Sequence, residues 1–234
     1  MKKLNEYQTL LKDKTPEEIM IWAECNFSLG KVALSSSLGA EDQVLTDILS
    51  KNARGIRIFT LDTGRLFEET YDVIQKTKEK YNLNIEITFP DPNEIKDLVE
   101  KDWPNLFYNS VENRKKCCFV RKVKPLQKIL KTVDVWITGL RSEQNQTRSK
   151  LQVIEWDEQF EIYKINPLAN WSNKEVWDYI KEKSVPYNTL HNKNFPSIGC
   201  APCTRAVKPW ENIRSGRWWW EESSKKECGL HLKK

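Results

Sequence analysis

The sequence predicts an α/β protein: a mostly parallel, twisted sheet with helices on both faces, followed by a mobile C-terminal tail. Three observations carry that expectation. β-leaning runs alternate with helical stretches of roughly 10–15 residues, the spacing of βαβ units. Loops rich in small and turn-forming residues follow several of these runs, as in Ser35-Ser36-Ser37-Leu38-Gly39 and Asp62-Thr63-Gly64. The stretch after residue 200 is polar, Trp-rich and weakly periodic, which reads as a tail or flap rather than core.

Taken in order, Thr15-Pro16-Glu17-Glu18 is a capping box with proline at the first helical position, opening a helix to about Cys25. Lys31 to Ser35 is a short strand, followed by an amphipathic stretch from Glu41 to Leu49. Ile56 to Leu61 is a second strand, and Phe67 to Tyr81 the next helix. Asn84 to Phe89 is a third strand, stopped by Pro90, and Val133 to Thr138 a fourth, ending at Gly139. Two more β-like runs follow, Leu151 to Trp156 and Phe160 to Ile165, before Ser172-Asn173-Lys174-Glu175 caps another helix. Sheets of this kind place ligand loops at the carboxyl ends of their strands, here 35–42, 62–65 and 139–148.

At 234 residues, with 39% hydrophobic and 30% charged side chains, the chain can bury a core and is too apolar for a disordered protein. The opening Met1-Lys2-Lys3-Leu4-Asn5-Glu6 has no apolar run behind it, so no secretory signal is expected, and no apolar stretch is long enough to span a membrane. The expected compartment is the cytoplasm, where paired cysteines more often mean metal or redox chemistry than structural disulfides. A net charge of +5, with basic and acidic residues interleaved, fits a pocket for a small anion better than a nucleic-acid surface.

Six cysteines fall as Cys25, Cys117-Cys118, Cys200-Ala201-Pro202-Cys203 and Cys228. A CxxC turn presents two thiolates to one centre. An adjacent pair leading into a helical stretch, Phe119 to Leu130, supplies two more, diverging by about 100°. Thiolates without histidine suit a [4Fe–4S] cluster or structural zinc. Adjacent ligands are awkward around one small ion, whereas a cubane offers four separate irons, which favours iron–sulfur. The bland alternatives are inert buried thiols and a chance CxxC. Lys115, Lys116, Arg121 and Lys122 surround the pair, and cations lower the cost of holding an anionic centre. Lys115 and Lys116 read as a solvated face; Lys122, four residues after Cys118, is the better functional candidate. Cys25 reads as a small buried hydrophobe.

The loop Ser35 to Asp42 opens a helix and suits phosphate, although it lacks a Walker A lysine. Arg141 and Arg148 stand seven apart in the loop after Gly139, and arginine forks grip phosphate or sulfate; incidental surface arginines are the alternative. Cys228, three residues before His231 in a basic, aromatic tail, is either a nucleophile or an unremarkable terminal cysteine.

The motifs SSSLGAED, LDTGRLFEETY, KCCFVRKVKPL, ITGLRSEQNQTR, NPLANWSNKEVWDYI, GCAPCTRAV, RSGRWWWEE and ECGLH together resemble the assimilatory adenylyl-sulfate (APS) reductases, of the PAPS/APS reductase family, from about Lys31 onward. The resemblance implies an adenine nucleotide α-hydrolase-like fold and reduction of APS to sulfite and AMP, with electrons from thioredoxin or a glutaredoxin-like reductant. It implies no nucleic-acid or membrane partner. Cys117, Cys118, Cys200 and Cys203 match the ligands of a [4Fe–4S] cluster, and Cys228 matches the catalytic nucleophile that carries an S-sulfocysteine. Lys122, Arg148, Arg214 and Arg217 match basic residues around sulfate and phosphate, and Ser36, Gly39, Leu61 and Gly139 fall in nucleotide-contacting loops. Arg114 stands where some members have histidine. The implied division is 1–204 as a nucleotide-binding and iron–sulfur domain and 205–234 as the tail carrying the nucleophile. PAPS as substrate, or both nucleotides, is the rival expectation. An ATP-dependent thiolation enzyme would need an SGGxDS loop, which this sequence lacks, and the placement of Cys228 argues against a non-catalytic iron–sulfur module.

Overall fold

A computed structural model describes residues 2–144 and 151–222. Helices α1 (Lys2–Leu11) and α2 (Pro16–Asn26) precede strand β1 (Val32–Ser35), helix α3 (Ala40–Asn52), strand β2 (Arg57–Leu61), helix α4 (Glu68–Tyr81) and strand β3 (Ile85–Thr88). Helices α5 (Pro92–Asp102) and α6 (Val111–Cys118) follow, then a π-helical turn (Phe119–Val123) running into α7 (Lys124–Leu130). Strands β4 (Val135–Ile137), β5 (Ile154–Asp157) and β6 (Ile162–Ile165) and helix α8 (Asn173–Glu182) complete the regular elements.

The strands form one sheet in the order β3-β2-β1-β4-β6-β5. β1 pairs in parallel with β2 and β4, and β4 with β6, with Leu34 opposite Ile58 and Ile137. Only β5 is seen to run against its neighbour, β6. The α/β class and the mostly parallel sheet are as the alternation of elements implies. No helix among the described residues is long and apolar enough to cross a membrane.

The chain divides into two compact units, one of Met1–Thr60, Asp72–Glu86 and Leu130–Asn188, the other of Leu61–Tyr71, Ile87–Ile129 and Thr189–Lys234. In the first, Val32, Leu34, Ile58, Val135, Ile137 and Ile165 of the strands share a core with Ile19 and Met20 of α2 and with Val44, Leu45, Ile48 and Leu49 of α3. The capping boxes at both expected helix starts are present: Thr15 Oγ1 accepts from Glu18 N, Ser172 Oγ from Glu175 N, and each glutamate reaches back to the cap nitrogen.

Helix α3 departs from the amphipathic expectation, because every residue from Asp42 to Ser50 is buried. Its polar side chains go inside because they find partners there. Gln43 Nε2 donates to Thr77 Oγ1 (2.7 Å) and Pro186 O (2.9 Å), and the Tyr179 hydroxyl and Lys51 Nζ both donate to Asp47 Oδ2. Gln43 Oε1 and Asp47 Oδ1 are exceptions, with no hydrogen-bond partner among the described residues. Cys25 is exposed on α2 rather than buried, since the core side of that helix is taken by Ile19, Met20 and Ala23. The stretch 119–130 is not one regular helix but a π turn followed by α7. Pro125 has no N–H to give, and its ring would crowd the Arg121 carbonyl in a regular α-helix, so the wider turn before it accommodates the ring.

Ile48 lies at the centre of the α3 packing and is fully buried. Ile48→Ala is expected to lower the unfolding free energy by about 2–5 kcal/mol, measured by urea denaturation. A loss below about 0.5 kcal/mol would mean that α3 is not the core helix described here.

Candidate functional site

In the second unit the site is built from three short pieces of chain. The first is the turn after β2. Asp62 Oδ1 accepts from Gly64 N (2.8 Å), and Gly64 takes the left-handed φ of +69° that favours glycine. Thr63 between them is fully buried. Its carbonyl accepts from Arg121 Nη1 (2.6 Å), and its hydroxyl lies 3.2 Å from Cys200 Sγ and accepts from Arg65 N. The second piece is the CxxC turn, a single 3₁₀ turn over Ala201–Cys203. Cys203 N closes it onto Cys200 O, and Ala201 N donates to Arg65 O (2.8 Å). The third is the end of α6, capped at its start by Ser110, whose hydroxyl accepts from Asn113 N; it delivers Cys117 and Cys118 into the π turn.

These pieces bring Cys117, Cys118, Cys200 and Cys203 to one small cavity. Its other walls are Phe107 and four cations: Arg65, Arg114, Arg121 and Lys122. The four cysteines are thiols, not disulfides. Lys115 and Lys116 are exposed, as a solvated face implies, with Lys116 paired to Asp102. Lys122 and Arg121 are wall cations expected around the cysteine pair from sequence; Arg114 carries no expected role there, and Arg65 falls in a stretch that the sequence marks only as a turn.

Burial and charge act differently on each sulfur. Burial pushes the Cys117 thiol up, against the pull of Arg121. Burial, reinforced by Cys200, pushes Cys203 up to about 12. Burial also opposes ionisation of Cys200, but Lys122, the Thr63 hydroxyl, Arg217 and Arg121 together bring it below the ordinary thiol value. Arg217 is itself buried, donating from Nη1 to Ser197 Oγ (3.3 Å) and Ile198 O (3.2 Å). A Cβ at Gly199 would overlap its guanidinium, so any larger residue there would displace the arginine head. Arg214 sits in the preceding turn, where its N–H donates to Asn212 Oδ1. The donor set is sulfur with no imidazole, and the surrounding cations suit an anionic thiolate centre. Among the described residues, no three Cys, His, Asp or Glu side chains form a group able to hold a single metal ion.

In the first unit, the loops after β1 and β4 meet. Ser36 is buried, its hydroxyl accepting from Leu38 N (3.2 Å), and Gly39 caps α3 without a side chain. Asp42, in the first turn of α3, accepts from both the N–H and the hydroxyl of Ser37 at 2.6 Å. A Cβ at Gly139 would overlap the Asp42 carboxylate. Arg141 is buried and engaged by Glu41 (2.9 Å) and the Trp171 carbonyl (3.1 Å), which makes it a structural strut of these loops. Leu61, the last residue of β2, belongs to the second unit. Arg148 and Cys228 lie outside the described residues.

The phosphoadenosine phosphosulfate reductase domain model matches residues 31–206. Adenosine 5'-phosphosulfate reductase of Allochromatium vinosum is 51% identical over 203 residues, covering 87% of this chain and 79% of that protein. The enzyme of the same name from Pseudomonas aeruginosa is 43% identical over 227 residues, covering 94% of this chain and 84% of the relative. Among solved structures, phosphoadenylyl-sulfate (PAPS) reductase from Candida auris superposes with a TM-score of 0.76 at 30% identity, covering 87% of this chain and 96% of that one. The FMN adenylyltransferase of Candida glabrata, at 15% identity and a TM-score of 0.57 over 91% of this chain and 74% of its own, shares the fold alone.

Burial raises the Asp42 carboxyl to about 6, against the two Ser37 hydrogen bonds that favour its ionised form. The folded value lies above that of an unfolded aspartate, near 3.9. The associated stability is therefore present below about pH 4 and is lost as pH rises to about 6. Asp42→Asn removes this dependence, so its stability relative to wild type should rise by roughly 3 kcal/mol across that window, as urea denaturation at pH 4 and 7 would show. A difference independent of pH would mean that Asp42 titrates normally.

Proposed function

The chain belongs to the phosphoadenosine phosphosulfate reductase domain family, and on that premise we propose how it performs the reduction of adenylyl-activated sulfate. It is an oxidoreductase acting on a sulfur group. Its substrate is APS, its products are sulfite and AMP, and its electrons come from thioredoxin in the cytoplasm, where the dithiol pool keeps cysteines reduced. Relatives named for APS, 43–51% identical, support APS as the substrate. The observation that carries the reading is the meeting of Cys117, Cys118, Cys200 and Cys203 in one cation-walled cavity.

The Cys228 thiolate attacks the sulfur of the sulfate group. The bond from that sulfur to the bridging phosphate oxygen breaks, and AMP leaves with the electron pair, so no strong general acid is required. This leaves an S-sulfocysteine on Cys228. A thiolate of the reduced dithiol then attacks the Cys228 sulfur, sulfite departs, and the second thiol of the reductant resolves the mixed disulfide. Both electrons thus come from the dithiol. Lys122, Arg148, Arg214 and Arg217 offset the repulsion between the incoming thiolate and the anionic substrate. Ser36, Gly39, Leu61 and Gly139 contribute the nucleotide loops. Cys117, Cys118, Cys200 and Cys203 hold a [4Fe–4S] cluster, which supplies a rigid electrostatic element and is not needed to carry electrons.

PAPS is the alternative substrate, favoured by the likeness to the Candida auris enzyme. Sulfite release decides between them: kcat/KM for APS is expected to exceed that for PAPS by at least about tenfold, and equal values would overturn the preference. Protein purified without oxygen should carry about four irons and matching sulfide; one zinc without sulfide would remove the cluster. Incubation with APS and no reductant should place one sulfo group on Cys228 with release of one AMP. Cys228→Ser should abolish the adduct and keep the iron, whereas an adduct on another cysteine would overturn the assignment.

A further inference from the structure

Arg114 lines the four-thiol cavity and is fully buried, yet the proposed reaction gives it no part. Its guanidinium grips Glu221 as a fork, Nε to Oε1 at 2.9 Å and Nη2 to Oε2 at 2.8 Å. The two side chains are 1% and 3% exposed, the most deeply buried ion pair among the described residues. The same guanidinium lies 4.6 Å from the ring centroid of Trp218, and that of Arg217 lies 4.9 Å from the same ring. Trp218 is buried, its N–H donates to Cys203 O (3.0 Å), and its φ is +43°. A bulky residue keeps a left-handed backbone only where its surroundings over-determine it. Two positions on, Trp220 packs edge-on against Tyr108 at 4.5 Å, and the Tyr108 hydroxyl donates to Pro202 O (2.9 Å). Residues 217–221 are therefore pinned to α6 at one end and to the CxxC turn at the other. Beneath them Cys117 and Cys203 are only 7% and 8% exposed, sharing a small apolar core with Trp218, Leu106 and Phe107.

We propose that Arg114 and Glu221 form a latch that shuts residues 217–221 over the Cys117 and Cys203 side of the cavity and so controls exchange of whatever these thiols hold. The carboxylate already engages the Arg114 fork, so Arg114 acts as a positioning residue rather than an anion contact. A buried pair suits a latch, because breaking it from one side strands a charge in the interior and drives the segment open. Access to the thiols follows from geometry alone; control of cluster retention rests also on the cofactor reading above.

The test uses the apo-protein, alkylated with N-ethylmaleimide, with Cys117 and Cys203 followed by peptide mapping. Glu221→Gln and Arg114→Met are each expected to speed labelling of both thiols by at least about tenfold, with Glu221→Asp intermediate at about threefold. Arg57→Met, which breaks the Arg57–Glu86 pair of the other unit, serves as control and should leave the rates unchanged. Unchanged rates in Glu221→Gln, or an equal rise in the control, would overturn the latch. Should Glu221→Gln fail to fold, Glu221→Asp decides on the same criterion. In a second arm, anaerobically loaded proteins are challenged with an iron chelator, and iron loss should follow the same order. If wild type holds no iron while the labelling order stands, the cofactor reading fails and the latch survives. If wild type holds iron but labelling is the same in all variants, the latch fails and the function survives.

Discussion

The buried Thr63 ties three stretches of the second unit together with one side chain and one carbonyl. Its hydroxyl meets Cys200 and accepts from Arg65 N, while its carbonyl holds a nitrogen of Arg121. A fully enclosed threonine must satisfy both groups inside the protein, so the turn after β2 is obliged to lie against the CxxC turn and the π turn. Once those are fixed, the cation arrangement follows. Arg121 can no longer swing to solvent, and Cys200 gains a hydroxyl partner that Cys203, three residues on, lacks. Burial pushes both cysteines up, but Lys122 first, then the Thr63 hydroxyl, Arg217 and Arg121 bring Cys200 below the ordinary thiol value, whereas Cys200 adds to burial in raising Cys203.

The first unit solves a related problem with the opposite sign. The start of α3 offers backbone donors and the positive end of a helix dipole, features that attract anions. An anion from the chain itself already occupies part of that ground: Asp42 takes the Ser37 N–H and hydroxyl. The neighbouring loop comes so close to this carboxylate that only glycine fits at position 139. Gly139 is thus a packing requirement of two adjoining strand ends as much as a ligand-approach position.

Much of this could be read from sequence because it depends on local rules. Proline at the first helical position with glutamate three residues after Thr15, and the Ser172 to Glu175 repeat of the pattern, fixed two helix starts. The cysteine spacing singled out four residues that do share a cavity. What escaped depends on distant partners. Helix α3 carries Asp, Gln, Thr and Ser on its inward faces, so hydropathy marks it as half exposed, and distant partners such as Thr77, Pro186 and Tyr179 make its burial tolerable. Helix α5 has an Asp91-Pro92 start, but Pro90 just before it reads as the end of a strand and hides the cap. Arg114 and Glu221 are 107 residues apart, and nothing near either one announces the other. Three consecutive tryptophans carry no period, so the burial of Trp218 beside an exposed Trp219 follows from the tertiary structure alone.

The π turn between α6 and α7 has a consequence for how this stretch of chain can change in length. Lys124 N reaches back five residues to Phe119 O, so the turn holds one residue more than an α-helical turn would. Removing one residue from 119–123 would let the backbone relax into continuous α-helix, locally the more comfortable state. It would also rotate everything beyond it by about 100° about the helix axis. Leu126 and Ile129, buried as they stand, would swing away from their packing if the cysteine pair kept its place. If α7 kept its place, the thiols would turn instead. The spacing between Cys118 and Leu126 is therefore a phase constraint rather than a loop length. In most connections an insertion or deletion changes reach; here it would change which way the sulfur atoms face.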